Sequence, residues 1–182
     1  MSQIPQLLRA VAGPLLLEPT FGQRLLRVFA RKVVLGEQFS GAKLHAELGI
    51  QAARPRGTRE NGTARIAVIP VYGVIAQHPQ SLGTSTDEID GQLAAAVNDR
   101  AIDAVLLDFD SPGGTVAGVP ETAARIAAAR KVKPVAAVAN GLAASAAYWM
   151  AAQTDHITLL GSGDGVGSIG VWTAHEDWSR AL

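Results

Sequence analysis

Short apolar runs alternate with helical patterns along residues 65–160, and this alternation constrains the fold more than any other feature of the chain. A run of about four to eight apolar residues between turn residues is typical of a buried strand. Strands that alternate with helices predict stacked β-α-β units around a mostly parallel sheet, which is an α/β fold. The predicted strands are residues 66–75, with breaks at Pro70 and Gly73, and residues 104–109, 134–139 and 156–160.

Helix signals fall between these strands. A capping box at Ser85 and Glu88 predicts the start of one helix, and Pro120 suits the first turn of a second. An Ala-rich stretch after residue 140 predicts a third helix. The predicted loops at 110–114 and 140–145 both leave the carboxyl ends of their strands. We therefore expect them side by side at the edge of the sheet where α/β folds bind ligands.

Residues 1–62 differ from the rest of the chain. Apolar residues between Leu15 and Phe29, with arginines among them, suggest a short amphipathic helix. Its basic side is interpreted as a solvated face, and a docking helix for an acidic partner is the alternative. Residues 52–62 are polar and rich in Gly and Pro, which predicts a linker. We therefore predict an N-terminal helical segment and linker at 1–62 and one main domain at 63–182.

Composition excludes several classes of function. Lys and Arg total 16, as do Asp and Glu, so the global basic field that attracts nucleic acid is missing. The absence of cysteine excludes disulfides, thiolate nucleophiles and cysteine-based zinc sites. The apolar run at residues 11–17 contains Gly13 and Pro14 and is shorter than the roughly 20 residues of a membrane span.

Ser145 lies among small residues where the 134–139 strand is expected to turn into the Ala-rich helix. A helix start offers free backbone N–H groups, here that of Ala146, and the Gly113–Gly114 pair lets the backbone approach a ligand. A hydroxyl and two donors that converge on one point suit acyl transfer. We expect the glycine loop to lie outside the core, so that Gly114→Val removes activity without unfolding. Alone, Ser145 is more often a packing residue or a helix cap.

Four motifs occur in a recognisable order. They are Asp110-Ser111-Pro112-Gly113-Gly114, Lys133-Pro134-Val135, Ala144-Ser145 with Tyr148, and Gly167-Ser168-Ile169-Gly170-Val171. Together they resemble the signal-peptide-peptidase A family of serine peptidases (peptidase S49), which has the ClpP/crotonase-like fold. The resemblance covers roughly residues 65–182. The opening segment and residues 172–182 are similar to the phage branch of that family, the head-maturation (capsid) proteases.

The resemblance implies a serine endopeptidase of the Ser–Lys dyad type that uses no metal and no cofactor. Ser145 would be the nucleophile, and Gly113, Gly114 and Ala146 would form the oxyanion hole. Relatives often have glycine after the serine, but Ala146 keeps the N–H donor. The implied substrates are capsid, scaffold or portal proteins, cleaved during phage head maturation in the bacterial cytoplasm or the procapsid. The resemblance also implies a homo-oligomer with no nucleic-acid partner and no membrane span.

The general base is the largest departure from the family pattern. The lysine of the family follows the Gly-Ser-Ile-Gly motif, whereas every lysine here precedes Ser145: Lys32, Lys43, Lys131 and Lys133. The last two are expected at the amino end of their strand, away from the site. Because a serine hydroxyl without an adjacent base is a poor nucleophile, we expect the chain to be truncated and the lysine to lie beyond Leu182.

Other interpretations stay open. A Ser–His–Asp triad of Ser145, His175 and either Asp108 or Asp110 is the alternative arrangement of the base. Residues 165–170 match the glycine pattern of dinucleotide sites, but they come too late in the domain for that function. The alternative functions are an inactive scaffold module of head assembly, which the missing lysine favours, and a cellular signal-peptide-peptidase-like protease.

Overall fold

The computed structural model describes residues 64–171 and Thr173, the backbone of residues 15–17 and 57–61, and five further residues: Arg24, Arg27, Val28, Arg31 and Glu47. Predictions that fall on other positions lie outside the described residues. Those positions include Lys32, Lys43, His45 and His175.

A mostly parallel sheet forms the centre of the described residues. Its strands are β2 (Gly57–Asn61), β3 (Ala64–Tyr72), β4 (Ala104–Ser111), β6 (Val135–Ala144), β7 (Ile157–Leu159) and β8 (Gly165–Gly167). The order is β2-β3-β4-β6-β7, and β8 pairs with the last part of β6. All neighbours are parallel except β2 and β3. The predicted α/β class with a mostly parallel sheet is confirmed.

A second, two-stranded sheet joins β1 (Leu15–Leu17) to β5 (Gly113–Thr115). The two strands are antiparallel, and Leu16 lies opposite Gly114. The prediction that Leu15–Leu17 form part of an amphipathic helix is therefore wrong. Pro14 and Pro19 bracket this segment, and a proline disfavours helical geometry in the residue before it. Further along, Arg24, Arg27, Val28 and Arg31 do have helical backbone.

Three helices cover one face of the main sheet: α1 (Thr86–Asn98), α2 (Val119–Ala129) and α3 (Ala146–Ala151). Alternate residues of β4, Val105, Leu107 and Phe109, are buried against them. Burying each such side chain contributes about 1.5–3 kcal/mol. The capping box of Ser85 and Glu88 is present at the start of α1, as predicted. The packing of these helices against the sheet holds the strand ends in position, and with them the loops that follow the strands.

Pro70 does not break β3, although the sequence predicted a break there. Arg65 C=O accepts the N–H of Asp103, so odd-numbered residues of β3 direct their backbone groups towards β4. Pro70 therefore faces the other side, and β2 ends opposite Val68 before reaching it. Among the described residues no strand pairs with Pro70 on that side, so its missing N–H removes no ladder hydrogen bond there. The strand ends at Gly73, whose φ of 69° turns the chain, as predicted.

Five segments predicted as loops or linker are strands. Residues 57–61 form β2, 110–111 extend β4, 113–114 belong to β5, 140–144 extend β6, and 165–167 form β8. Most of these segments are polar or glycine-rich, so they carry no apolar periodicity of their own. Each is held by its register with an apolar neighbour, which is a tertiary effect.

Candidate active site

Ser145 occupies a strained turn between β6 and α3, with φ 56° and ψ −114°. Positive φ is uncommon for a residue with a Cβ and costs roughly 1–3 kcal/mol. A strained strand-to-helix turn of this kind is how α/β hydrolases present a nucleophilic serine. The Ser145 side chain makes no helix-capping bond, and its φ differs from that of an ordinary cap. The bland interpretation of Ser145 as a helix cap is therefore wrong.

The glycine-rich segment after β7 holds Ser145 in place. The Ser145 N–H donates to Gly167 C=O at 2.8 Å, and Ser145 Oγ donates to Gly170 C=O at 3.3 Å. Parallel pairing of β8 with residues 142–144 brings the segment there. Gly167 has φ 125°, a conformation that favours glycine. The Gly165–Gly170 pattern thus forms a strand and a serine-binding loop, and the rejection of a dinucleotide motif agrees with this geometry.

Ser111 links the glycine loop to the sheet, and sequence reasoning did not single it out. Its Oγ donates to Gly73 C=O at 2.6 Å and accepts the N–H of Gly113 at 3.1 Å. The donation of the Gly113 N–H to an oxyanion stays a prediction, and it would require the bond to Ser111 to break. A small hydroxyl directly before Pro-Gly-Gly is the only signal in the sequence that could have indicated this link.

Register brings the glycine loop level with Ser145. β4 and β6 pair in parallel as far as Ser111 and Ala143. The register shifts by two residues between Phe109 and Ser111, and Gly113 and Ser145 each follow this last pair by two residues. α3, which begins directly after Ser145, also packs against β5. The predicted approach of the two loops at one edge of the sheet is therefore consistent with the structure.

Gly114 is buried against the backbone of Ile75. A Cβ at Gly114 would lie 1.7 Å from Ile75 O, so no other residue fits. The expectation that this loop lies outside the core is wrong. Ile75 N–H donates to Gly113 C=O at 2.9 Å, and Thr115 N–H donates to Ile75 C=O at 2.8 Å. Because successive strand residues direct their backbone groups to opposite sides, the N–H of Gly114 faces away from Ile75, towards β1.

Ala146 supplies the other candidate donor. It is fully buried and begins α3 directly after Ser145. The first N–H groups of a helix have no acceptor within that helix, and none of the described residues accepts this one. Ala146 stays a predicted oxyanion donor, as do Gly113 and Gly114.

The described lysines lie far from Ser145. Lys133 Nζ donates to Ala96 C=O at 2.9 Å and to Asp99 C=O at 2.5 Å, where α1 ends. Lys133 precedes β6, and Ser145 follows its other end. Ten strand residues span about 30 Å, so this lysine cannot reach the serine. Lys131 is exposed at the same end of the strand. The predicted position of both lysines agrees with the structure.

The described histidines and aspartates make other contacts. His78 Nδ1 lies 2.7 Å from Asp87 Oδ2 in an exposed pair, and His156 is exposed beside the amino end of β6. Asp108 accepts the O–H of Tyr72, and its Oδ1 is buried without a hydrogen bond within the described residues. Asp110 Oδ1 lies against Gly141, 2.7 Å from where a Cβ would be. The alternative triad stays a prediction, since His175 lies outside the described residues.

The described part of the chain contains neither a candidate metal cluster nor a candidate membrane-spanning helix. No cluster of three or more His, Asp or Glu side chains there could hold a metal ion. None of its helices combines the length and the hydropathy that a bilayer span requires.

Similarity to known proteins was found by sequence. Residues 127–182 match peptidase family S49. The chain is 34% identical over 188 residues to the capsid assembly protease C of Escherichia phage lambda, which covers 93% of this chain and 42% of that protein. It is 33% identical over 184 residues to the head-tail preconnector protein GP5 of Enterobacteria phage P21, which covers 93% of this chain and 36% of that protein. The chain thus spans less than half the length of either phage protein.

A bacterial protein and two solved structures are also similar. Protease 4 of Salmonella typhi is 35% identical over 109 residues, which is 59% of this chain and 18% of that protein. An enoyl-CoA hydratase/isomerase family member aligns with a TM-score of 0.44 and 15% identity, over 60% of this chain and 48% of that one. A ClpP1 mutant from Listeria monocytogenes aligns with a TM-score of 0.36 and 22% identity, over 48% and 46%.

Proposed function

The resemblance to peptidase family S49 is confirmed, and from that premise we propose that the protein is a serine endopeptidase whose nucleophile is Ser145. The observation that carries the proposal is the conformation of Ser145. It has φ 56°, and both its N–H and its Oγ are bonded to the loop at residues 167–170. A structural role alone does not explain a strained serine whose backbone is held in place and whose neighbouring N–H, that of Ala146, has no acceptor among the described residues.

The proposed reaction is acyl transfer through a covalent intermediate. Ser145 Oγ attacks the carbonyl carbon of the scissile peptide bond while its proton passes to a general base. The oxyanion accepts hydrogen bonds from the N–H groups of Ala146 and Gly114. Collapse of the tetrahedral intermediate breaks the C–N bond, and the amine leaves with the proton. Water then attacks the acyl-Ser145 ester, which releases the carboxylic acid and restores the hydroxyl.

We propose that the base is a lysine, as in the Ser–Lys dyad that the family resemblance implies. Lys131 and Lys133 are excluded by their positions, so this lysine comes from outside the described residues. Burial lowers the pKa of a lysine towards neutrality, which lets its amine accept the serine proton. An active dyad therefore requires an apolar environment around that amine.

The proposed substrates are proteins of a phage head. The lambda relative is named for capsid assembly, and the P21 relative is named a head-tail preconnector. We propose that this protein cleaves capsid, scaffold or portal proteins in the bacterial host during head maturation. We further propose that it acts as a homo-oligomer, since closed symmetric assemblies are the common form of such enzymes.

A fluorophosphonate probe, which reacts only with activated serines, tests the assignment in the full-length gene product. We expect one labelled site, lost in Ser145→Ala and retained in Ser162→Ala, which alters an exposed serine of a neighbouring loop. Cleavage of a phage head protein should follow the same pattern. Equal labelling and cleavage by wild-type protein and Ser145→Ala would remove Ser145 as the nucleophile.

The second candidate function is an inactive scaffold module of head assembly. The distance between Lys133 and Ser145 favours it, because the described residues contain no lysine that could act as the base. The same probe separates the two functions. A full-length protein that assembles with head proteins but never reacts with the probe supports the scaffold.

A further inference from the structure

We propose that β1 occupies, within the same chain, the edge of β5 at which an extended peptide substrate pairs next to Ser145. The inference rests on the proposed function, and it adds that the site binds its peptide substrate as an extended strand paired with β5. Substrate and β1 then compete for one edge, and the enzyme accepts a peptide only when Leu15–Leu17 leave it.

The pairing of β5 shows which edge is in question. One edge is bonded to Ile75, through Gly113 C=O and Thr115 N–H. The other edge pairs with β1, and its central residue Gly114 lies opposite Leu16. A strand with a short, exchangeable neighbour on one edge is suited to binding a peptide by strand addition.

The β1 edge lies on the side of Ser145. β3 and β6 flank β4 on opposite sides. Ile75 follows β3 and Ser145 follows β6, and β5 continues the line of β4. Ile75 therefore occupies the edge of β5 on the β3 side. The edge that does not pair with Ile75 lies on the β6 side. There β6 ends at Ala144, the chain turns into α3, and β1 fills the space alongside β5.

Direction and register place β1 where a substrate would lie. It runs antiparallel to β5, so its carboxyl end is at Leu17, opposite Gly113. Gly113 and Ser145 each follow by two residues the last pair of β4 and β6, Ser111 and Ala143, so both lie beyond the same end of these strands. The N–H of Gly114 faces β1, although the proposed reaction needs this N–H for the oxyanion. Ser145 itself is only 4% exposed. The site is thus closed to a peptide while β1 is in place.

A reversible disulfide tests the competition. Leu15 lies opposite Thr115, and residues directly opposite in an antiparallel pair have Cα atoms about 4.5–5.5 Å apart, within the range of disulfides. The chain has no cysteine, so Leu15→Cys with Thr115→Cys creates a single possible bridge. The probe is a fluorescein-labelled peptide with the sequence of residues 11–21, whose binding to the full chain is followed by anisotropy. Ser145→Ala in every variant prevents its cleavage.

We expect oxidation of the double-cysteine protein to weaken peptide binding by about tenfold or more, and dithiothreitol to restore it. Each single-cysteine protein should respond to neither reagent. Equal affinity in the oxidised and reduced double-cysteine protein would overturn the proposal.

Proline substitutions test the same competition in the opposite direction, because they release β1 from β5 where the disulfide locks it. Leu16 faces Gly114, so Leu16→Pro removes a donor of the pairing and should strengthen peptide binding about tenfold. Leu17 lies opposite Gly113, whose C=O is bonded to Ile75, so the Leu17 N–H points away from β5. Leu17→Pro is the matched control and should bind within about twofold of the parent. The same change in both variants would contradict the proposal, provided that their melting curves agree.

This binding assay needs no catalysis. If the disulfide blocks the peptide but wild-type protein never reacts with the fluorophosphonate probe, the competition stands and the peptidase assignment fails. If the probe labels Ser145 but the disulfide has no effect on the peptide, the peptidase assignment stands and the competition fails.

Discussion

The hydroxyl of Ser145 donates to the carbonyl of Gly170 at 3.3 Å, which is long for a bond from a hydroxyl. The Ser145 N–H is bonded to Gly167 more tightly, at 2.8 Å. The loop therefore fixes the backbone of the serine firmly and its side chain weakly. A nucleophile needs this combination, because its backbone must stay in place while its hydroxyl turns towards the substrate.

Ser145→Gly should stabilise the protein relative to Ser145→Ala by about 1 kcal/mol, because only glycine adopts φ 56° without strain. The entropic cost of glycine reduces the difference but does not reverse it. Both variants should lose all reactivity of the site. Urea unfolding of the two proteins measures the gap. A less stable glycine variant would show that the turn is unstrained.

Gly167→Ala should destabilise the protein by roughly 1–2 kcal/mol and slow labelling of Ser145. An added Cβ meets no atom within 4 Å, so the effect comes only from φ 125°. Gly163→Ala is the matched control, because its Cβ is equally unhindered and its φ is not positive. Thermal melting and probe labelling report the two effects. Identical behaviour of both variants would contradict this account of Gly167.

Gly114→Ala should fail to fold, because its Cβ would overlap the carbonyl of Ile75. Gly114→Val is therefore unsuitable for testing the oxyanion hole. Gly91→Ala is the control, since it lies in α1 with open space around it and should stabilise the helix by roughly 0.5–1 kcal/mol. Soluble yield and circular dichroism distinguish the outcomes. A folded Gly114→Ala protein would mean that the loop yields more readily than its packing suggests.

Tyr72→Phe should cost about 1–3 kcal/mol of stability, because it leaves the Asp108 carboxylate without the donor that it has in the structure. A double-mutant cycle with Asp108→Ala isolates the pair by urea unfolding. We expect the double mutant to lose less than the sum of the single losses. Strict additivity would show that the two side chains do not interact in solution.

Lys133→Met should lower stability by up to about 1 kcal/mol, because its ammonium group neutralises the carbonyl end of α1. It should not slow labelling of Ser145, since the two residues lie at opposite ends of β6. Lys131→Met, at an exposed position, should change neither property. Loss of labelling in Lys133→Met with its stability intact would instead identify Lys133 as the base.

The parts of the fold that sequence predicted are those with a local signal. Ser85 and Glu88 define a helix start, Pro120 defines another, and the apolar run of β4 can only be a buried strand. β1, β2 and β8 gave no such signal. β1 and β8 pair with strands that are distant in sequence, so their conformation depends on partners that local patterns do not reveal. β2 pairs with β3, which begins three residues after it, but the residues of β2 are polar and show no strand pattern.

The candidate site also combines features that have a local sequence signal with features that depend on tertiary pairing. Ser145 could be predicted because strand, small residues and helix follow one another directly around it. The bond from Gly113 to Ser111 could not, since it depends on how the chain turns after β4. The closeness of Gly114 to Ile75 depends on the register of a separate segment. Local sequence therefore indicates the turn that holds the candidate serine, whereas tertiary register decides which backbone groups lie beside it.

The bond between Ser145 and Gly170 spans 25 positions of the chain, and β8 must be in place before it forms. A ribosome makes residue 145 well before residue 170, and domains fold as their sequence emerges. The serine is therefore synthesised before the segment that sets its geometry exists. The geometry proposed for a nucleophile at Ser145 therefore cannot form in a nascent chain until residues 165–170 have been made.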